Sequence, residues 1–225
     1  MHVRQIILGD GLLGTELNQQ TNWPVISRLR HDFDITNSNT WDQIKNTNTI
    51  INCICCPKTN QDKQKQWDVN YKGVADLVDF CSKKAIKLVQ ISTDFVYYNS
   101  ILNATEEDAP SNSPDWYSYT KLLADGYVQL RSTNYLLIRC SHKPDPFPFE
   151  DAYINYVGNF DYVKNISYLI IQLITRKASG IYNVGTELKT MHQLAIKTKP
   201  NVNLAQGDYV NASMNINKMN TFLEI

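Results

Sequence analysis

The chain has 225 residues, 43% hydrophobic and 20% charged, enough for one sizeable core with an appended lobe. Its 22 basic and 22 acidic side chains cancel, which argues against the electrostatic footprint of a nucleic-acid binder or of a protein held to an anionic membrane. No run approaches the roughly 18 apolar residues of a membrane-spanning helix, and Met1-His2-Val3-Arg4 leads into a strand pattern without a signal-peptide profile, so a soluble, cytoplasmic setting is expected.

Residues 4–8, Arg-Gln-Ile-Ile-Leu, form a short apolar run of the buried parallel-strand type. Gly9-Asp10-Gly11-Leu12-Leu13-Gly14 follows, and Thr15 to Asn18 reads as a helix start. Strand, glycine turn and helix are the context a dinucleotide fingerprint requires. Gly9 permits the tight turn, Gly11 lets backbone approach a pyrophosphate, and Gly14 lets the helix sit close to the strand. The anion then rests on the helix N-terminus, where free N–H groups and the dipole favour negative charge.

Residues 23–29 are the next strand candidate, with an end expected over the adenosine ribose. An acid there would bond the 2′-hydroxyl of NAD, whereas an arginine accommodates the phosphate of NADP. Ser27, Arg28 and Arg30 precede the first carboxylate, Asp32, which leans towards NADP(H) and leaves NAD(H) open; a solvated basic turn explains the same residues. Asp34-Ile35-Thr36, a short helix over 40–45 and a central buried strand over 49–56 come next. The small Cys55 and Cys56 at that strand's end suit a cofactor passing close by, and plain core packing accounts for them too. The five cysteines, Cys53, Cys55, Cys56, Cys81 and Cys140, are odd in number and clustered in an apolar run, as reduced thiols are. Strand alternation would point Cys53 and Cys55 to one face and Cys56 to the other, and no finger-like partner pair follows, so no metal site is expected.

Residues 67–83 carry apolar side chains at helical period, with Asn70 among them either as a neutral surface choice or holding a water or the next strand's carbonyl. Residues 86–92 are the strand that delivers Thr93, and Ile91 to Tyr97 reads as strand, rich in β-branched and aromatic residues. The polar stretch 99–115 has the length of a binding loop or lid. A helix over 117–130 and a strand over 135–139 complete an alternation that implies an α/β, Rossmann-type doubly wound parallel sheet over residues 1–140. The proline-broken, aromatic run 142–150 marks the boundary of a small C-terminal substrate lobe, residues 141–225, partly packed back on the first domain. Within it Asp161 can cap a helix running from Val163 to Ile174, 180–184 reads as a strand, 190–198 as a short helix, and the tail is weakly patterned.

Tyr117 and Lys121 stand four residues apart, on one face of a helix. A cation beside a phenol lowers its pKa from about 10, which a proton donor or acceptor working near neutrality needs. The Thr93 hydroxyl alongside could hold a substrate carbonyl. A surface helix face and a strand terminus explain these residues singly; all three in register after a glycine fingerprint point to a reaction centre.

With these residues in view, the chain resembles the extended short-chain dehydrogenase/reductase superfamily, most of all its dTDP-4-dehydrorhamnose reductase and related nucleotide-sugar reductase family. The resemblance covers nearly the whole chain and rests on the glycine turn, Asp34-Ile35-Thr36, Ile51-Asn52 with Cys55-Cys56, Val69-Asn70, Ile91 to Tyr97, the Glu106-Glu107-Asp108-Ala109-Pro110 loop, Tyr117-x-x-x-Lys121-Leu122 and Ile181-Tyr182-Asn183-Val184-Gly185. It implies that Thr93 orients the substrate carbonyl, Tyr117 exchanges the proton, and Lys121 lowers the tyrosine pKa and holds the nicotinamide ribose. Hydride would pass to C4 of a nucleotide-linked 4-keto-6-deoxy sugar. Leu12 and Leu13 would offer backbone N–H groups to the pyrophosphate, Asp34 and Ile35 would flank the adenine, and Asn70 would support an active-site water network. A homodimer is compatible with the resemblance. The chain departs from the family in its G-x-G-x-x-G turn where G-x-x-G-x-x-G is usual, in cysteines for alanines at 55 and 56, in Tyr97-Tyr98-Asn99-Ser100, and in a substrate lobe several dozen residues shorter. A nucleotide-binding regulatory subunit without turnover and a nucleotide-sugar epimerase or dehydratase are the alternatives the same residues allow.

Overall fold

Apolar residues alternate across the strands in a way that feeds two separate cores. Ile6 and Leu8, Ile50 and Leu88 face one core, while Ile7, Ile51 and Val89 face the other. A sheet buried on both faces is the outcome, and parallel strands joined by helical crossovers satisfy it. A computed structural model of the chain describes residues 4–99, 101–108 and 115–225. The expectations for residues 1–3, and for Ser100 and 109–114 of the long polar stretch, lie outside the described residues.

The chain builds β1 (Gln5–Leu8), α1 (Leu12–Thr21), β2 (Val25–Ile26), the one-turn α2 (Arg28–His31), β3 (Thr49–Asn52), α3 (Lys63–Trp67), α4 (Gly73–Lys84), β4 (Lys87–Ile91), α5 (Trp116–Arg131) and β5 (Tyr135–Cys140). It continues with β6 (His142–Lys143), β7 (Asp151–Tyr153), β8 (Tyr156–Gly158), β9 (Asp161–Tyr162), α6 (Val163–Thr175), β10 (Gly180–Val184), β11 (Lys189–Thr190), α7 (Met191–Ala195), β12 (Asn203–Ala205), β13 (Val210–Ala212) and α8 (Asn217–Leu223). Six strands form the main sheet in the order β10-β5-β4-β3-β1-β2, every pair parallel. Helices α1 and α6 cover one face, and α4 and α5 the other. The order reverses at β1 and β3, and the crevice beyond the carboxyl ends of strands at such a switch point is where doubly wound sheets bind ligands.

Residues after Cys140 contribute in two places. Strand β10 adds to the main sheet beside β5, and α6 packs on α1. The small sheet β11-β8-β13 and the pair β12-β7 enclose a separate core of Phe147, Phe160, Tyr162, Met191 and Leu194. There the Lys189 ammonium, 4% exposed, donates to Phe160 O, Thr186 Oγ1 and Glu187 O and pairs with Asp161 Oδ2 at 3.6 Å.

Several expected elements are shorter than the sequence suggests, each for a local reason. Strand β2 has two residues rather than seven, and Arg28 opens a helical turn behind Ser27 instead of ending a strand. The central strand stops at Asn52, because the Asn52 carboxamide accepts the Ile54 amide at 3.2 Å and donates to Gln90 Oε1 at 2.9 Å. Cys53 to Cys56 therefore lie in the loop beyond it, and the strand alternation expected of them does not apply. Thr93 likewise ends the extended run: its hydroxyl accepts the Phe95 amide at 3.2 Å, and Asp94–Tyr97 forms a 3₁₀ turn rather than more strand. The helical stretch 67–83 contains a π-helical segment, Asp68–Lys72, between α3 and α4, and α1 begins at Leu12, ahead of Thr15. Tyr162, not Asp161, caps α6; the Asp161 carboxylate accepts instead from the Tyr162 amide and the Asn165 side chain.

Candidate active site

The glycine turn is built by two steric constraints. Gly9 sits at φ +96°, a backbone region that side chains with a Cβ rarely enter. A Cβ on Gly14 would stand 2.0 Å from the Gly9 carbonyl oxygen, so only glycine allows α1 to seat against the end of β1. Gly11 differs: it caps α1 with no side-chain hydrogen bond, and a Cβ there would meet nothing within 4 Å. The first amides of α1 thus open on unfilled space, a cradle that suits a pyrophosphate.

That space belongs to a cavity of about 350 Å³ lined by Gly9, Gly11, Arg28, Asp34, Ile35, Cys55 and Cys56 among others, so most of the residues expected to bind the cofactor converge there. Leu13 lines the neighbouring cavity, and Leu12 is exposed at the helix start. Arg28 and Asp34, expected to act separately, form an ion pair at 3.5 Å. Partial burial draws the Asp34 carboxyl upwards, but two hydrogen bonds from Thr36 and the Arg28 guanidinium outweigh it and hold the group below its usual range.

Asn70 projects from the π-helical segment, where it is fully buried. Its carboxamide accepts the Cys56 amide at 2.7 Å and donates to the Cys56 carbonyl at 3.0 Å and to Thr120 at 3.3 Å. It therefore clamps the loop after β3 to α5 through direct contacts with the Cys56 backbone and the Thr120 side chain.

A second cavity of about 300 Å³ adjoins the first through Cys53, Ile54, Cys55 and Pro57, which line both. Thr93, Tyr117 and Lys121 all line it, so the structure brings together the three residues singled out from their spacing. Lys121 is buried, and its ammonium donates to the Ile91 carbonyl at 2.7 Å. The Thr93 hydroxyl donates to Asp94 Oδ1 at 3.1 Å. Burial pushes the Tyr117 phenol well above its usual value, reinforced by Cys55, Asp94 and Cys140, with the Thr93 hydroxyl acting in the opposite direction. The lowering expected from Lys121 is not found: its ammonium is turned to the end of β4, and loss of water around the ring dominates.

The site also holds groups that the sequence did not single out. Asp94, 1% exposed, lines the second cavity with His142, Lys143 and Tyr156. Burial draws the Asp94 carboxyl up to about 6, against the pull of Lys143 and Thr93, and lowers the His142 imidazole to about 4, with Lys143 adding to the effect. Burial likewise lowers Lys143, partly offset by Asp94. In sequence, Asp94 was hidden inside an apparent strand and Lys143 inside a proline-rich boundary; the Ser-Thr-Asp tripeptide at a strand end was the available signal. A third cavity, of about 460 Å³, continues from Lys143 and Tyr156 to Phe147, Phe149, Tyr153 and Met191. Among the described residues no helix is long and apolar enough to cross a membrane, no group of three or more His, Cys, Asp or Glu could hold a metal, and the five cysteines are unpaired.

A doubly wound parallel sheet with a glycine turn at its switch point defines the Rossmann-type α/β class. Within it the chain belongs to the family described as the RmlD substrate binding domain, whose model matches residues 4–142. A dTDP-4-keto-6-deoxy-D-glucose reductase of Streptomyces niveus is 28% identical over 120 residues, which cover 49% of this chain and 42% of that protein, so the match spans less than half of its relative. Among solved structures, dTDP-4-dehydrorhamnose reductase from Bacillus anthracis in complex with NADP superposes with a TM-score of 0.84 at 20% identity, covering 98% of this chain and 92% of that one. A short-chain dehydrogenase/reductase superfamily protein from Agrobacterium tumefaciens with bound NAD gives 0.79 at 16% identity, covering 98% and 91%. At these identities the structural likeness is one of fold.

Proposed function

We propose that the protein is an NAD(P)H-dependent reductase that acts on a nucleotide-linked 4-keto-6-deoxy sugar. The observation that carries this reading is the convergence of Thr93, Tyr117 and Lys121 on one cavity that shares the loop 53–57 with the cavity over the glycine turn. The activities named for the Streptomyces niveus and Bacillus anthracis proteins support it. The free thiols fit the cytoplasm, the proposed setting.

The residues of the first cavity would hold the dinucleotide, with Asp34 and Ile35 beside the adenine, and the amides of Leu12 and Leu13 at the start of α1 would meet the pyrophosphate. Arg28 lines this cavity and would meet a 2′-phosphate, which is the support for NADP(H) as the proposed form. When bound, the reduced nicotinamide supplies the hydride. In the second cavity the Tyr117 hydroxyl and the Thr93 hydroxyl take the substrate ketone oxygen, and Tyr117 gives its proton to that oxygen as it gains charge. A phenol held protonated well above neutrality is set up as the donor. Lys121, whose ammonium donates to the Ile91 carbonyl, would hold the nicotinamide ribose. Residues 141–225 provide the substrate lobe, with Phe147, Phe149 and Tyr153 lining the place for the rest of the substrate.

The test is single-turnover oxidation of NADPH with dTDP-4-keto-6-deoxy-D-glucose and other nucleoside-diphosphate 4-keto sugars, comparing the native protein with Tyr117→Phe. Oxidation that Tyr117→Phe slows on the order of 10²-fold or more is expected. Tight cofactor binding with no oxidation by any of the sugars would sink the reading.

A further inference from the structure

Asp94 is a buried carboxylate to which the proposed hydride transfer assigns no role. The Thr93 hydroxyl donates to its Oδ1 at 3.1 Å, while Oδ2, buried with the rest of the side chain, has no hydrogen-bond partner among the described residues. An acceptor stranded in that way costs on the order of 1–3 kcal/mol and more when charged, so a ligand that satisfies it gains accordingly. The groups around it come from four elements that wall one cavity. They are Tyr117 on α5, Cys140 on β5, Lys143 on β6 and Tyr156 on β8, and each is electrostatically coupled to Asp94. Lys143 is the cation on the Asp94 side of the cavity, and its ammonium stands 3.5 Å from Ser141 Oγ.

We propose that Asp94 is a second proton-transfer group of this site, whose free carboxylate oxygen takes and returns the proton on a carbon adjacent to the substrate ketone, so that the protein exchanges that hydrogen with solvent independently of hydride transfer. The inference rests on the keto-sugar reading above. Asp94 directly follows Thr93 in the chain, so a ketone oxygen held by Thr93 and Tyr117 brings the carbons one bond from the carbonyl towards Asp94. In the step, Oδ2 removes the proton, the C–H electron pair becomes the new C=C bond, and the carbonyl pair moves to oxygen, which receives the Tyr117 proton. The reverse step returns a proton from Asp94 to carbon and one from oxygen to Tyr117, leaving the ketone with a solvent-derived hydrogen. No redox equivalent is consumed. A carboxylate drawn towards neutrality is a stronger base than an exposed one and remains ionised at neutral pH, as the step requires.

The experiment incubates the protein with dTDP-4-keto-6-deoxy-D-glucose and NADP⁺ in D₂O, follows deuterium entry into the sugar by mass spectrometry, and in parallel measures NADPH oxidation with the same sugar in the same preparation. Exchange above the protein-free background, falling on the order of 10²-fold in Asp94→Asn and with an acid limb near pH 6, is expected. Because Asp94 also receives the Thr93 hydroxyl, Lys143→Met is the second variant; it should weaken exchange and move the acid limb upwards, which loss of packing alone would not do. Reduction without exchange in the native protein overturns this proposal and leaves the reductase reading intact, as does exchange unchanged in Asp94→Asn. Absence of both overturns both.

Discussion

Arg139 donates from Nε to Asp125 Oδ2 at 3.0 Å, with each side chain only 1% exposed. The guanidinium also donates to the Tyr97 hydroxyl, which in turn donates to the Thr105 carbonyl at 2.8 Å, so one buried cation joins α5 to the loop beyond Tyr97. Asp125 lies one turn beyond Lys121, which is among the charges that offset the effect of burial on its carboxyl.

Removing one member of this pair strands the other in the core. Arg139→Met should cost about 3–5 kcal/mol in urea unfolding. The double variant Asp125→Leu/Arg139→Met should recover much of that loss, since no buried charge then remains. A single-variant cost below about 1 kcal/mol would mean that the pair adds nothing at this position.

The two glycines flanking the start of α1 should fail differently. Gly14→Ala drives a Cβ into the Gly9 carbonyl, so it should lower the melting temperature and abolish cofactor binding together. Gly11→Ala meets nothing in the protein; its stability change should stay within about 1 kcal/mol, while NADPH affinity, followed by cofactor fluorescence, falls sharply. Unimpaired binding by Gly11→Ala would remove the pyrophosphate from that cradle.

His142 should give the fold an acid-side weakness. Burial, with Lys143 beside it, lowers its pKa in the folded state to about 4, and its Nδ1 has no partner among the described residues. The unfolded chain takes up this proton from about pH 6.5 downwards, so stability is fully present above that value and is lost as the pH falls towards 4. Melting curves across this range should be steeper for the native protein than for His142→Gln. Parallel curves would assign the loss to other groups.

Arg28 is the test of cofactor choice. Its guanidinium is largely exposed and, among the described residues, pairs only with Asp34, so Arg28→Ala should leave stability nearly unchanged. Titrations should show NADPH weakened more than NADH; an equal loss for the two would leave no argument for the phosphate form.

Local steric rules made the glycine turn legible, because a positive φ and a helix seated on a strand each demand glycine at a fixed offset. The Tyr117 and Lys121 pair was legible from helical spacing, and the sheet from strands alternating with helices. What escaped depends on side chains competing for backbone. Asn52 and Thr93 each end a strand by accepting the amide two residues on, and apolar content cannot report that. The state of Tyr117 escaped for another reason: spacing brings Lys121 to the same face, but the Ile91 carbonyl claims the ammonium. Asp94 and Lys143 line one cavity only because β4 and β5 are neighbours, a pairing fixed by the whole fold.

The place of β10 bears on how the chain is made. Leu136 to Cys140 pair with Gly180 to Val184, so β5 presents an open row of N–H and C=O groups until a segment 44 residues later has left the ribosome. Helix α6, which packs beside α1 on the same face of the sheet, also arrives late. A nascent chain ending near Cys140 would carry every residue of the glycine turn and of the Thr93, Tyr117 and Lys121 set, yet hold a naked sheet edge. The main sheet therefore depends on translation running on through β10, and a stalled or truncated product is the species most prone to aggregate.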